Sequence, residues 1–387
     1  MARLGDVCVF FSGTGFPNAF QGQRSGKYPF YKVGDISKNV LLGNRELIAC
    51  DNYIDDDIVK EIKGLILPPQ TVVFAKIGEA LRLNRRAITQ NYCLIDNNAM
   101  GIKANNDVLD TLYFYYFMCN VDLQHYCEST TVPSVRKTRI AEIDILLPPL
   151  DKQRRIAAVL DKVSDLIAKR RQQLDKLDEL VKSRFIEMFG DPVENPHGFR
   201  KVALSELAEI KIGPFGSLLH KEDYIEGGHP LLNPSHIVDG KVAPDSKLTI
   251  SDKKHDELEA YHLHIGDVVM GRRGEMGRCA VVPSEGFLCG TGSLLIRTKG
   301  EVTADYIQKI ISFPSFRKTI EDMAVGQTML NLNVPIVSKF QIIKPPIEVQ
   351  KNYYKFVAQT DKSKLAIQKS LEKLETLKKA LMQEYFM

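Results

Sequence analysis

The chain lacks most of the features that would announce chemistry. Its seven cysteines lie scattered at positions 8, 50, 93, 119, 127, 279 and 289, and none form a Cys-x-x-Cys pair. That spacing excludes a paired-cysteine redox or zinc motif, and the odd, scattered set predicts reduced, mostly buried thiols. No stretch approaches the roughly 18 apolar residues that a membrane helix needs. Met1–Asp6 has no apolar signal core either. A cytoplasmic protein with no membrane partner is expected. Charge of one sign is also scarce: a formal net charge of +4 permits nucleic acid without demanding it.

Catalytic signatures are missing together. The Pro-Pro sites at 68–69, 148–149 and 345–346 lack the Asn or Asp before and the aromatic after that adenine methylation uses. Gly13-Thr14-Gly15 has Asn18 where a dinucleotide loop needs its third glycine, and Gly22–Tyr28 is too short for a phosphate-binding loop. His262 and His264 sit two apart without a ligand partner at zinc spacing, and read as surface histidines. Asp55-Asp56-Asp57 before Glu61-Ile62-Lys63 reads as a solvated acidic turn rather than a nuclease centre. No metal, cofactor or catalytic residue is assigned to the chain.

What is present is a repeat. Val72–Ala80 returns as Val268–Met276, 196 residues on, and Leu147–Leu150 returns as Lys344–Ile347, 197 residues on. A length of 387 residues allows two or three domains, and the repeat narrows this to two globular units of about 150 residues. Each Pro-Pro precedes a long polar helix with an apolar stripe. In the first, Leu160, Ile167, Leu174, Val181 and Met188 recur every seven residues, with Leu177 beside them. Asp151 is placed as its N-cap, and Gly190-Asp191-Pro192 stops it. In the second, the stripe is Phe356, Thr360, Ile367, Leu371, Leu374, Leu377, Leu381 and Tyr385. At 1.5 Å per residue each helix is about 55 Å long, and pairing the two stripes buries both. The expected fold is mixed α/β: globular domains at 1–149 and 199–346, and two antiparallel helices at 150–190 and 347–387 forming an intramolecular coiled coil.

Local charge is more telling than the total. Lys76, Arg82, Arg85 and Arg86 surround Gly78, while Arg272, Arg273 and Arg278 surround Gly274 at the same place in the repeat. Glycine lets backbone approach phosphate, and arginine neutralises phosphate or grips guanine with two hydrogen bonds. Thr130, Thr131, Ser134, Arg136 and Lys137, matched by Gln327 and Thr328, form a polar loop suited to phosphate or base edges. The run Tyr113–Phe117 could stack bases. Its counterpart from Tyr306 is mostly aliphatic, so core packing is the preferred reading.

These segments resemble the specificity subunit of type I restriction–modification systems over nearly the whole length. Leu4–Ser37 and Leu204–Ile237 resemble the starts of its two target recognition domains. Ser129–Ser134 through Ile145 and Pro148–Ile156, and Gly326–Asn333 through Pro345–Gln350, resemble their closing motifs. The family usually carries Glu-Gln after the Pro-Pro and two further residues. Here Lys152 and Val349 replace that Glu, and Tyr353 stands where Ile156 stands in the first copy. The resemblance implies that each domain reads one half of an asymmetric, split double-stranded DNA target while the helices space them. It further implies docking with two methyltransferase subunits and with motor–nuclease subunits, in a host-defence complex that methylates adenine or cleaves DNA. S-adenosylmethionine, ATP and Mg would then belong to those partners, with no cofactor and no catalysis on this chain. Two other readings stay open from sequence: a stand-alone DNA-modifying enzyme with degenerate motifs, and a coiled-coil scaffold that binds no DNA.

Overall fold

The computed structural model describes residues 1–48, 50–127, 132–326 and 330–386, with Ser217 placed through its backbone alone. By contact the chain divides into two units, residues 1–174 with 366–387, and residues 175–365.

In the first unit, β1 (Cys8–Ser12), β2 (Thr71–Ala75), β3 (Arg86–Thr89) and β4 (Ala99–Ala104) form a sheet ordered β1–β4–β2–β3, extended by Glu46–Leu47. Strand β2 is buried along its whole length. Val72 and Phe74 enter one apolar cluster, and Val73 enters another on the opposite face. A sheet covered on both sides explains why this strand is a continuous apolar run rather than an alternation. A smaller sheet pairs Tyr28–Tyr31 in parallel with Leu94–Ile95. Helix α1 (Thr111–Asn120) starts at Asp110, whose carboxylate accepts from the Leu112 and Tyr113 amides at 3.0 Å each. Tyr113, Phe114, Tyr116 and Phe117 are all buried, as the core reading of this run expected.

The second unit repeats the plan. Strands β5 (Ala208–Ile212), β6 (Val268–Gly271), β7 (Cys279–Val281) and β8 (Ser293–Thr298) are ordered β5–β8–β6–β7. Val268 and Met270 face one cluster and Val269 the other. His229–Leu232 runs parallel to Phe287–Cys289 in the smaller sheet. Helix α3 (Ala304–Ile311) corresponds to α1. The Tyr113 hydroxyl donates to Leu146 O, and the Tyr306 hydroxyl to Ile343 O, each at 3.1 Å. Each unit is closed by a ribbon of its first and last strands: Ala2–Arg3 with Asp144–Ile145, and Lys201–Ala203 with Gln341–Ile343.

The two long helices, α2 (Leu150–Phe189) and α4 (Ile347–Phe386), are 40 residues each. Helix α2 ends at Gly190, whose φ of 73° is the left-handed conformation that glycine adopts freely. Each unit holds a segment of both helices, running antiparallel. In the first, Val163, Ile167 and Leu371 are buried together, with Leu174, Leu374 and Leu381 against them, and Arg171 pairs with Glu375 at 2.7 Å. Leu160 is fully buried in the domain core beside Met382. Ile367 is half-buried. In the second, Val181, Phe185 and Tyr353 join the domain core while Lys364 pairs with Asp178, and Leu177 is half-buried. Tyr353 thus keeps the core role that Ile156 has in the first copy, and its hydroxyl donates to Val181 O at 3.2 Å.

Two details depart from the sequence expectation. Leu377 is 46% exposed. The neighbouring Lys378 turns inward instead, its ammonium 5.7 Å from the centre of the Tyr116 ring, and the Tyr116 hydroxyl donates to Asp161 at 2.7 Å. Asp151 lies inside the first turn of α2 rather than at its cap.

A buried glutamine fixes the start of each long helix. Gln153 donates to Val108 O and Pro148 O and accepts from the Asp110 amide, at 2.8–2.9 Å. Gln350 donates to Pro345 O at 2.9 Å and accepts from the Thr303 amide at 3.0 Å. Both are wholly buried. Their amides satisfy carbonyls left by the prolines and tie the helix start to the cap of α1 or α3. The preceding positions are less enclosed, Lys152 exposed and Val349 half-buried, so they tolerate different side chains in the two copies.

Candidate nucleic-acid interface

The basic loops and the polar loops, more than fifty residues apart in sequence, meet in space. Strand β2 runs into Lys76–Gly78. The Lys76 amide donates to Asn98 O at 2.8 Å, Val135 N donates to Lys76 O at 3.0 Å, and Gly78 N donates to Pro133 O at 2.8 Å. Ile77 forms a bridge with Ser134. In the second unit Arg272 N donates to Gly292 O at 3.0 Å, Leu332 N donates to Arg272 O at 2.9 Å, and Arg273 bridges Asn331. Two equivalent backbone bonds and an equivalent bridge therefore hold the same two loops together in both units.

A third loop leaves this end of each sheet. Ser12 lies opposite Met100, which also faces Phe74, and Ile212 lies opposite Leu294, which faces Met270. The chain then turns at Gly13 or Gly213. A Cβ on Gly13 would sit 1.7 Å from Asp96 O, and one on Gly213 2.0 Å from Gly290 O, so neither position accepts a side chain.

The predicted residues are not equivalent once placed. In the first unit Lys76, Arg85 and Ser134 are half-buried, and Arg82, Arg136 and Lys137 are exposed. Arg82 pairs with Glu79 at 2.9 Å, and the Lys137 ammonium lies 5.6 Å from the Phe10 ring centre. Arg86 is corrected. It is 2% exposed, its guanidinium lies over Phe74 at 4.9 Å, and it donates to Asn84 Oδ1 at 2.6 Å and Arg85 O at 3.1 Å. Burial pushes it down to about 10. Such a side chain belongs to the core and has no surface to offer a duplex. Thr130, Thr131, Gln327 and Thr328 lie outside the described residues.

In the second unit Arg273 is exposed, with no ion-pair partner among the described residues. Arg272 is half-buried, and burial followed by the neighbouring Arg273 charge lowers its affinity for its proton. Arg278 is already occupied: it meets Glu275 at 2.7 Å and Pro234 O at 3.2 Å. Glu275 also receives Arg317 at 2.7 Å, and these two arginines, Arg278 first, hold its carboxyl below the usual range. Sequence reading missed Arg317, which reaches the loop from helix Pro314–Met323 and carries no local signal. It also missed Glu79 and Glu275, although the repeat displays both, each followed three residues later by its arginine.

The histidines form something the sequence did not announce. His229, His255 and His262 stack face to face, with ring centres 3.9 and 3.8 Å apart. His229 meets Asp252 at 3.0 Å, and His264 stands aside with Glu285 at 3.0 Å. Asp55 and Asp56 accept from the Lys27 amide and ammonium as an exposed turn and helix start.

Comparison with known proteins bears on all of this. A family model described as "Type I restriction modification DNA specificity domain" matches residues 1–179 and again 196–379. The type I restriction enzyme MjaVIII specificity subunit of Methanocaldococcus jannaschii is 22% identical over 408 aligned positions, covering 99% of this chain and 90% of that subunit. The putative specificity subunit S.HindORF215P of Haemophilus influenzae is 26% identical over 153 positions, 38% of this chain and 35% of its own length. Among solved structures, the S subunit of a type I restriction–modification system from M. genitalium superposes with a TM-score of 0.57 at 13% identity, covering 100% of this chain and 95% of that one. A chain from a type I R-M system solved to explain complex assembly and conformational transition gives 0.62 at 17% identity, covering 99% and 96%. At these identities the structural likeness is one of fold.

Proposed function

The chain belongs to the type I restriction–modification DNA specificity family, and from that premise we propose that each of its two units reads one part of a split DNA target. As a DNA specificity subunit it acts with DNA and with other subunits of a type I system. The finer assignment is two methyltransferase subunits, which use S-adenosylmethionine on adenine, and motor–nuclease subunits, which use ATP and Mg. This chain supplies targeting.

The observation that carries the reading is the duplicated loop pair. In both units one set of backbone bonds presents a cationic loop beside a second polar loop at the same end of the sheet. Rigid backbone with exposed cations suits phosphate contacts that set register, and side chains that differ between copies suit different base edges. Arg273, Arg272 and Arg278 are the proposed contacts in the second unit. Lys76, Arg82, Arg85, Ser134, Arg136 and Lys137 are those in the first, with Thr130, Thr131, Gln327 and Thr328 proposed from sequence. Because the copies differ, the target is asymmetric and bipartite.

The test is long-read methylation mapping of DNA from cells that express the chain with its neighbouring modification subunit, against cells without the chain. A methyladenine motif of two short halves around a fixed gap, present only with the chain, is expected. No new motif, with an active and bound partner, would refute the targeting role. Exchanging residues 1–149 for another such domain should change one half of the target alone.

A further inference from the structure

The third loop at the sheet end carries an aromatic that the reading above leaves unused. Phe215 is 59% exposed. It sits between two glycines, the first of which anchors the root of the tip. Gly213 is pressed against Gly290 O and cannot accept a Cβ, and Gly216 adopts a φ of 63°. Pro214 stiffens the stretch between them. The same root in the first unit, Gly13, is followed by Phe16, but that ring is spoken for. It lies flat on Phe30 with centres 3.9 Å apart and planes 10° from parallel, and Lys32 covers it at 5.7 Å. Phe215 has no such neighbour among the described residues. Its loop begins one strand away from Gly271–Arg273, since Gly213 N donates to Ser293 O and Ser293 lies opposite Gly271 on its other side.

Single exposed apolar residues are common and need no purpose. This one differs in that an uncovered ring stands on a short tip rooted at the cationic end of the sheet. We propose that Phe215 is a wedge that inserts at one base step of the second unit's half of the target and partly unstacks it. This rests on the reading of that unit as a DNA reader. Apolar side chains are used in this way by proteins that deform a duplex, and a base against an aromatic face gains affinity whatever the base. Phe16, with its face covered by Phe30, does not do this, so only one half of the target is deformed.

The experiment uses the full chain with its modification subunits and target duplexes carrying aminopurine, a fluorescent adenine analogue, at successive positions other than the adenines to be methylated, which a methyltransferase itself extrudes. With the wild-type chain, fluorescence should rise at one step in the second half and at none in the first. Phe215→Ala should abolish that rise and weaken specific binding about tenfold or more. The salt dependence should stay unchanged, because no charge is removed. Phe215→Trp should restore both signals. Phe16→Ala should lower the melting temperature and leave the fluorescence of the second half alone. If the wild-type complex binds its target in a salt-dependent way but no position brightens, or if Phe215→Ala binds within twofold of wild type, the wedge is wrong and the DNA-reading role stands. If the wild-type complex does not bind DNA, both fall.

Discussion

Replacing Gln153 by alanine should unfasten the first unit where the long helix meets it. The side chain is wholly buried and makes three hydrogen bonds, to Val108 O, Pro148 O and the Asp110 amide. Each bond contributes about 1 kcal/mol net, and more if the partner is left dry and unpaired. Adding the small cavity gives a loss of roughly 3–5 kcal/mol. Gln350→Ala removes two bonds in the second unit, so its loss should be smaller, roughly 2–4 kcal/mol. A chain of two units does not unfold in one step, so hydrogen exchange resolved by segment is the suitable assay. Gln153→Ala should expose the amides of Thr111–Asn120, because Asp110 both donates its amide to the glutamine and caps that helix. Gln350→Ala should expose Ala304–Ile311, because Thr303 has the same double duty. A loss below about 1 kcal/mol in either variant, or the same exchange footprint from both, would refute the claim that these amides are what hold helix to domain.

Four further substitutions have defined outcomes. Arg273→Ala should weaken binding to all DNA sequences and lower the salt slope by about one, whereas Arg86→Ala should leave the slope alone and destabilise the first unit by roughly 2–4 kcal/mol; titrations at several salt concentrations, paired with denaturant melts, check both. Glu275→Gln should raise non-specific affinity and steepen the salt slope by about one, because Arg278 and Arg317 lose the carboxylate that now occupies them; an unchanged slope would show that these arginines do not reach phosphate. His255 resists its proton because burial, then His262 and His229, disfavour the charge. The folded value lies below the unfolded one near 6.5, so stability should be full above about pH 6.5 and fall as pH drops below it. Melting of wild type against His255→Phe between about pH 5 and 8 tests this, since the variant should lose that part of the slope.

The repeat was legible because the same residue types had to satisfy the same backbone twice. Val72–Val73–Phe74 and Val268–Val269–Met270 are apolar throughout because both sheet faces are covered, and that pattern needs no partner to be read. Arg86 was not legible. Its charge argues for solvent, while the shelter of Phe74 and Asn84 exists only after folding. Leu377 and Lys378 exchanged places for a similar reason, since the Tyr116 ring that draws Lys378 inward lies far away in the chain. The loop pair could be proposed from composition, but that Glu275 holds two arginines, or that Phe16 is covered and Phe215 is not, depends on tertiary neighbours.

The division of each long helix between the units has a consequence for biosynthesis. The second unit, residues 175–365, is continuous in sequence, whereas the first needs residues 366–387 to complete its core, with Met382 and Phe386 packed among its side chains. On a ribosome that adds about 5–20 residues per second, the segment made first must wait on the order of ten to forty seconds for its missing piece, while the segment made later can finish beforehand. The amino-terminal unit is therefore the last to mature. During that interval Val163 and Ile167, whose partners Leu371, Leu374 and Leu381 are made last, lack their cover, and a chaperone or a neighbouring nascent chain has its best opportunity to engage them.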